Sequence, residues 1–236
     1  MDYKITPIGV VHSCYKEKFG VPRQPGLVNL AQGMIELFPE YSSPEAVRGL
    51  ESFSHIWVLY MFHRLVGKPW RPTVRPPRLG GNQRMGVFAT RSPFRPNNIG
   101  MSVVKLGRIE VTNEKVCLHV SGLEMIEGTP VIDIKPYLGY VEAIADAQSG
   151  YATSEPEKKL KVEFSPLAQK QCEQRAKQYP GLIELIEQLL VLDPRPAYMG
   201  DNEEVKEYGM QLYNFDLKWQ VNGDTVIVKD LKSLPS

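Results

Sequence analysis

Cysteine is scarce in this sequence. Cys14, Cys117 and Cys172 are the only three in 236 residues, an odd number with no Cys-x-x-Cys pair, which supports neither a disulfide framework nor a zinc ribbon. A reducing compartment, the cytoplasm, fits best. The four histidines have no acidic neighbours at ligand spacing, so no metal site is expected. No apolar run reaches the ~20 residues of a membrane crossing, and residues 1–10 lack the apolar segment of a signal peptide. Also missing are Gly-x-Gly-x-x-Gly after a strand, Gly-x-x-x-x-Gly-Lys-Ser/Thr and Gly-x-Ser-x-Gly, which removes the common dinucleotide, nucleoside-triphosphate and serine-hydrolase signatures.

What is present reads as globular: 42% hydrophobic and 23% charged residues, with no repeat or low-complexity tract. At about 100–200 residues per domain the chain holds one large domain or two modest ones. Its 28 basic and 27 acidic residues give a net charge of +1, which on its face argues against a nucleic-acid partner. The distribution argues otherwise. Residues 1–150 carry a net +4 and residues 151–236 a net −3, and residues 52–109 contain no Asp or Glu at all. That acid-free zone holds eight arginines and two lysines, among them Arg71, Arg75, Arg78, Arg84 and Arg95. Either these cations pair with acids elsewhere in the fold, or they form a phosphate-binding surface. The excess of arginine, whose fork suits phosphate and base edges, favours RNA.

Up to about residue 145 the pattern is strand-like. Seven short runs rich in β-branched and aromatic residues, at 3–11, 33–38, 54–62, 85–90, 102–111, 115–120 and 131–134, are bounded by Gly, Pro, Asn or Ser. One helix is expected, from the Ser42-Ser43-Pro44-Glu45 start to Gly49. Strands that do not alternate with helices predict a mainly β fold, a closed or nearly closed antiparallel barrel rather than a doubly wound sheet. Residues 63–84, rich in Pro and Gly, read as a long loop or lid. Residues 146–159 read as a linker. Beyond it a small α+β domain, 160–236, is expected: a strand at 160–164, a helix at 166–179 with Leu167, Ala168, Cys172, Ala176 and Tyr179 on one stripe, and a helix at 181–192. The spacing of Leu182, Leu185, Ile186, Leu189 and Leu190 is that of an amphipathic helix. A hairpin turning at Asn222-Gly223-Asp224 closes the chain.

Two segments are dense in chemistry. In Gly86-Val-Phe-Ala-Thr-Arg91-Ser-Pro-Phe-Arg95-Pro-Asn-Asn-Ile-Gly100-Met-Ser102, two prolines forbid a helix and display Arg91 and Arg95 from a rigid turn, suited to an anion or simply to joining strands. In Glu127-Gly-Thr-Pro130-Val-Ile-Asp133-Ile-Lys135-Pro-Tyr137, an acid lies within an apolar strand. Asp133 either pairs with Lys135 or faces a ligand. His63-Arg64 and Pro22-Arg23-Gln24-Pro25 are weaker signals.

These two segments and Phe53-Ser-His-Ile-Trp-Val-Leu-Tyr60 resemble, in order and spacing, the TsaA-like family, also called TrmO. The resemblance implies a non-Rossmann β-barrel that binds S-adenosyl-L-methionine. It also implies a homodimer that methylates N6 of the threonylcarbamoylated adenosine at tRNA position 37. By motif position, Pro22, Arg23, Gln24, His63, Arg64, Arg91, Met101 and the turn Gly128, Thr129, Pro130 and Val131 would line the cofactor pocket. Met101 and Asn98 stand where the family often has leucine and proline, and Glu127 where an aspartate is usual. Residues from about 150 on resemble the C-terminal extension of the bacterial members. Methyl transfer from a sulfonium is largely a matter of alignment, and the N6 proton must leave. Asp133 is the first candidate to accept it, with Arg91 and Arg95 holding cofactor carboxylate or tRNA phosphate. A non-catalytic RNA-binding barrel and a small-molecule methyltransferase of the same fold are the alternatives.

Overall fold

The structure, a computed structural model, describes residues 4–112, 115–156, 160–195 and 206–234. In chain order its first part contains β1 (Gly9–Ser13), β2 (Gln32–Leu37), β3 (His55–Met61), the two-residue strands β4 (Thr73–Val74) and β5 (Met85–Gly86), β6 (Ile99–Val111), β7 (Val116–Ser121) and β8 (Thr129–Pro136). Six of these close an antiparallel barrel in the order β1-β2-β7-β6-β3-β8. Period-2 patterning builds it: Ile56, Val58 and Tyr60 on β3, and Gly100, Ser102, Val104 and Leu106 on β6, point inward and are buried while their neighbours face out. The lumen is apolar except near one end, where Ser13, Ser102 and Thr129 are buried. Gly100 pairs with Tyr60, and a side chain there would collide with the phenol ring. Glycine at this position is what lets the ring lie across the lumen.

Six of the seven expected strands form the barrel, though residue 3 lies outside the described residues. The run at 85–90 does not. Only Met85–Gly86 pairs, with Thr73–Val74, and the chain then makes a 3-10 turn over Val87–Ala89. Arg95 explains the departure: its Nη1 donates to the carbonyls of Val87 (3.1 Å) and Thr90 (2.9 Å), which a continuing ladder would have needed. The helix expected at 42–49 is likewise only a 3-10 turn, Pro44–Val47. Both serines that could cap it are diverted: Ser43 Oγ donates to Glu45, and Ser42 Oγ accepts the Val116 N–H at 2.7 Å.

β8 contains the irregularity with the largest consequence. Val131 pairs with Tyr60 and Asp133 with Leu59, so Ile132 is an extra residue bulged out of the ladder. Without the bulge, Asp133 would share the inward face of Val131. With it, Asp133 and Lys135 both face outward.

After the short helix α1 (Gly139–Glu142) no regular element occurs among the described residues until β9 (Lys161–Phe164). Then follow α2 (Pro166–Arg175), α3 (Leu182–Leu190), β10 (Glu207–Leu212), β11 (Phe215–Asn222) and β12 (Thr225–Ser233), with the sheet ordered β10-β11-β12-β9. Ser165 caps α2, its Oγ accepting the Ala168 N–H at 3.1 Å. Ala168 and Cys172 are buried, but Leu167, expected on the same stripe, is exposed; it lies a full 100° from Ala168 around the helix. All five apolar residues of the α3 stripe are buried.

The barrel and this sheet share one continuous core. The β1–β2 connection runs along the edge of β10: Tyr15 bridges to Leu212, the Tyr213 N–H donates to Cys14 O (2.7 Å), and Phe19 stacks on Trp219.

Candidate active site at the mouth of the barrel

The polar end of the lumen is crossed by the segment joining β7 to β8, and this segment lowers Glu124 into the barrel. Ser102 Oγ donates to Glu124 Oε1 at 2.8 Å. Burial, only partly offset by Ser102 and the Arg91 charge, pushes the Glu124 carboxyl up to about 7. The Tyr60 phenol lies in the same pocket, and burial followed by the Glu124 charge raises it well above its ordinary value. The carboxyl therefore changes charge near neutrality beside a phenol that stays neutral. Sequence reasoning missed Glu124. The signal was available, because an acid set between Leu123 and Met125 is the same anomaly that singled out Asp133.

Above this layer lie residues from distant parts of the chain. Arg91 Nη1 donates to Gln24 Oε1 at 2.6 Å. Arg64 Nη2 donates to the Lys16 carbonyl at 2.9 Å, and Lys16 Nζ reaches Glu127 at 3.2 Å. Glu127 organises the turn that follows it: Oε2 accepts the Ser13 N–H (2.7 Å), and Oε1 lies 3.0 Å from His12 Nδ1. Burial alone would raise this carboxyl, but Ser13, His12 and Lys16 together outweigh it and hold it below the usual range. Gly128 has φ +76° and open space where a Cβ would stand, so its backbone is accessible at the rim. Thr129 is buried and donates to Ile126 O at 2.7 Å, while Pro130 and Val131 carry the turn into β8. Burial first, and the Arg64 charge second, lower His63 and favour its neutral form.

The other expected site residues lie elsewhere. Pro22 is buried, whereas Arg23 is exposed and the charge that acts on it is that of Asp193, after α3. Met101 projects outward from β6 and is exposed; by register it flanks Leu59 on one side as Asp133 does on the other. Asp133 pairs with Lys135 at 3.0 Å and borders an open groove of about 670 Å³, with Ile8, Tyr41, Val47 and Phe53, toward the end of the barrel opposite the mouth. The Asp133–Lys135 pairing, one of the two readings open from sequence, is present, and the carboxylate borders the groove as well.

The arginine zone forms a surface. Among the described residues, none of Arg71, Arg75, Arg78, Arg84, Arg91 or Arg95 lies within 4.0 Å of a carboxylate, whereas Arg108, at the far end of the zone, pairs with Glu110 at 3.3 Å. The β4–β5 ribbon presents Arg75, Arg78 and Arg84, all exposed. Arg78 donates to Ser154 O, and Arg84 Nη1 donates to Thr73 Oγ1 at 3.2 Å. Arg71 lies over the Phe94 ring at 4.5 Å. Arg95 is turned inward onto the Val87 and Thr90 carbonyls. The segment read as a long loop or lid is mostly irregular; the two-residue strands Thr73–Val74 and Met85–Gly86 pair as its ribbon, and its arginines make it cationic.

Comparison with known proteins agrees with this architecture. Residues 10–143 match the family described as tRNA-methyltransferase O N-terminal domain, and residues 157–234 the TrmO C-terminal domain. The tRNA (adenine(37)-N6)-methyltransferase of Escherichia coli K12 is 50% identical over 219 residues, 93% of each chain. The tRNA (adenine(37)-N6)-methyltransferase of Eikenella corrodens is 45% identical over 178 residues, 75% of this chain and 96% of that one. The crystal structure of TrmO from Pseudomonas aeruginosa superposes with a TM-score of 0.83 at 38% identity, covering 99% of both chains. Matches that span both parts of the chain, with half of the residues identical to the Escherichia coli enzyme, establish that this protein belongs to the TrmO family.

Proposed function

We propose that this protein is an S-adenosyl-L-methionine-dependent tRNA methyltransferase acting on N6 of adenosine 37, with the threonylcarbamoylated adenosine as its acceptor. The supporting observation is the meeting of Arg91 with Gln24 at a barrel mouth flanked by arginines without carboxylate partners among the described residues, in a chain half identical to the Escherichia coli enzyme. The mouth suits the cofactor chemically. Arg91 and Arg64 offer guanidinium groups to a carboxylate, the open Gly128 turn admits close backbone approach, and His63 and Thr129 border it. Pro130 and Val131 continue the same turn, whereas Pro22, Arg23 and Met101 join the proposed cofactor set by motif position alone.

When bound, the cofactor supplies a methyl group activated on sulfur. The remaining tasks fall to this chain: holding N6 in line at the ~3–3.5 Å of a near-attack arrangement, excluding water and taking the proton that leaves. Two carboxylates compete for that proton. Asp133 is held by Lys135 on the outer wall, whereas Glu124 lies at the mouth within reach of the Arg91 charge and titrates near neutrality. Geometry favours Glu124, and Asp133→Asn beside Glu124→Gln separates the two. The target adenosine lies in an anticodon loop, already unpaired, so turning it toward the mouth costs little.

A homodimer in the cytoplasm is part of the same reading. Exposed Tyr140 and Val141 on α1, Ile144 just after it and Met101 on the barrel wall offer apolar surface for a second copy, and the three cysteines are free. Incubation with methyl-labelled cofactor and either modified or unmodified tRNA, followed by nucleoside mass spectrometry, tests the function. Label at N6 of adenosine 37 is expected, and label absent from RNA overturns it.

A further inference from the structure

Phe88 is a large aromatic placed where it would not normally be left. It tops the Val87–Ala89 turn, two residues before the strand-like Thr90, and is 71% exposed. The turn beneath it is anchored on both sides: the Val87 N–H donates to Pro72 O (2.9 Å), and Arg95 Nη1 binds the Val87 and Thr90 carbonyls. The same guanidinium lies 5.4 Å from the Phe88 ring centroid. Arg95 is therefore fixed by the loop it braces and backs an otherwise open ring.

The surroundings narrow the choice of ligand. The ribbon strand β5 feeds directly into this turn and brings Arg75 and Arg84, exposed and without acidic partners among the described residues, to its flank. Nearby Arg71 and Lys18 both lie over Phe94, at 4.5 and 5.5 Å. An exposed aromatic face inside an acid-free cationic field suits a ligand that carries both negative charge and a flat π-surface. A single-stranded polynucleotide has that combination, and a base stacking on a rigid, guanidinium-backed ring needs little ordering of the protein.

We propose that Phe88, backed by Arg95, is a stacking platform for an unpaired nucleobase of the RNA substrate, next to the base that enters the mouth. This rests on the tRNA reading above, and wild-type protein must bind and methylate tRNA before the variants are informative; failure of that control condemns the function rather than the platform.

The test compares Phe88→Ala, Phe88→Leu and Phe88→Trp in tRNA binding at several salt concentrations, alongside cofactor calorimetry and sedimentation. Expected is a loss of roughly 5- to 100-fold in tRNA affinity for Phe88→Ala. Little recovery is expected in Phe88→Leu and full recovery in Phe88→Trp, with an unchanged salt slope because every phosphate-binding cation is still in place. Cofactor affinity and oligomeric state stay as in wild type. The proposal is overturned if Phe88→Ala binds tRNA normally or if Phe88→Leu recovers as well as Phe88→Trp. It also fails if cofactor affinity falls with the ring, which would assign Phe88 to the cofactor's adenine, or if the protein changes its oligomeric state, which would make it a contact between copies.

Discussion

Arg91 and Gln24, 67 positions apart in the chain, meet at 2.6 Å across the mouth of the barrel. Gln24 orients the guanidinium from one side, and the Glu124 charge acts on it from below. Arg91→Gln is expected to weaken S-adenosyl-L-methionine binding by about 10-fold or more, the scale of a charge-assisted hydrogen bond. Gln24→Ala should cost less, and Arg91→Lys should recover little because the planar fork is lost. Calorimetric titration of cofactor into each variant checks this.

Glu124 predicts an inverted pH dependence of stability. Its folded-state pKa of about 7 lies above the ordinary 4.5, so the folded form favours the protonated acid. Its contribution is complete below pH 4.5 and is lost as pH rises through 7. Glu124→Gln, which cannot ionise, should therefore be more stable than wild type at pH 8, by ~3 kcal/mol at most, and gain nothing near pH 4.5. Denaturant unfolding at the two pH values measures it. If Glu124 is the proton acceptor, single-turnover methylation rises with pH through 7 in wild type and Asp133→Asn, and is slow and flat in Glu124→Gln.

Arginines of the ribbon should act through salt. Neutralising Arg75 and Arg84 together is expected to weaken tRNA binding and to lower the slope of log affinity against log salt by about 0.7 for each phosphate that is no longer neutralised. Arg95→Gln should behave differently. Because its guanidinium is committed to Val87 and Thr90, it should loosen the 87–95 turn and leave the slope nearly unchanged. Filter binding over a salt series distinguishes the two behaviours.

Tyr15 sits where barrel and C-terminal sheet share their core, and among the described residues its hydroxyl has no partner. Tyr15→Phe removes an unsatisfied buried group and should be neutral or stabilising by about 1 kcal/mol. Tyr15→Ala should cost about 3 kcal/mol or more and lower both parts together in a single calorimetric transition. Two separate transitions would show that the shared core does not couple them.

The barrel strands were legible because one buried face imposes alternation on each, and the α3 stripe because five apolar residues recur at helical spacing. Elements whose form depends on a distant partner were not. Residues 85–90 carry a strand composition, yet Arg95 takes the carbonyls that a ladder would use. Residues 42–49 carry helix-start signals, yet Val116 takes the Ser42 hydroxyl from a strand 74 positions away.

From the sequence alone came the β-rich class, the acid-free arginine zone and the motifs that mark the family, since these are local in composition or order. Tertiary structure decided which motif residues face one another. A single bulged residue, Ile132, turns Asp133 out of the barrel to Lys135. The β7–β8 crossing instead carries Glu124 inward to Ser102 and Arg91. Alternation fixes only the parity of a strand, and a one-residue bulge reverses it, so the side of the sheet on which a carboxylate emerges is set by the pairing of β8 with β3.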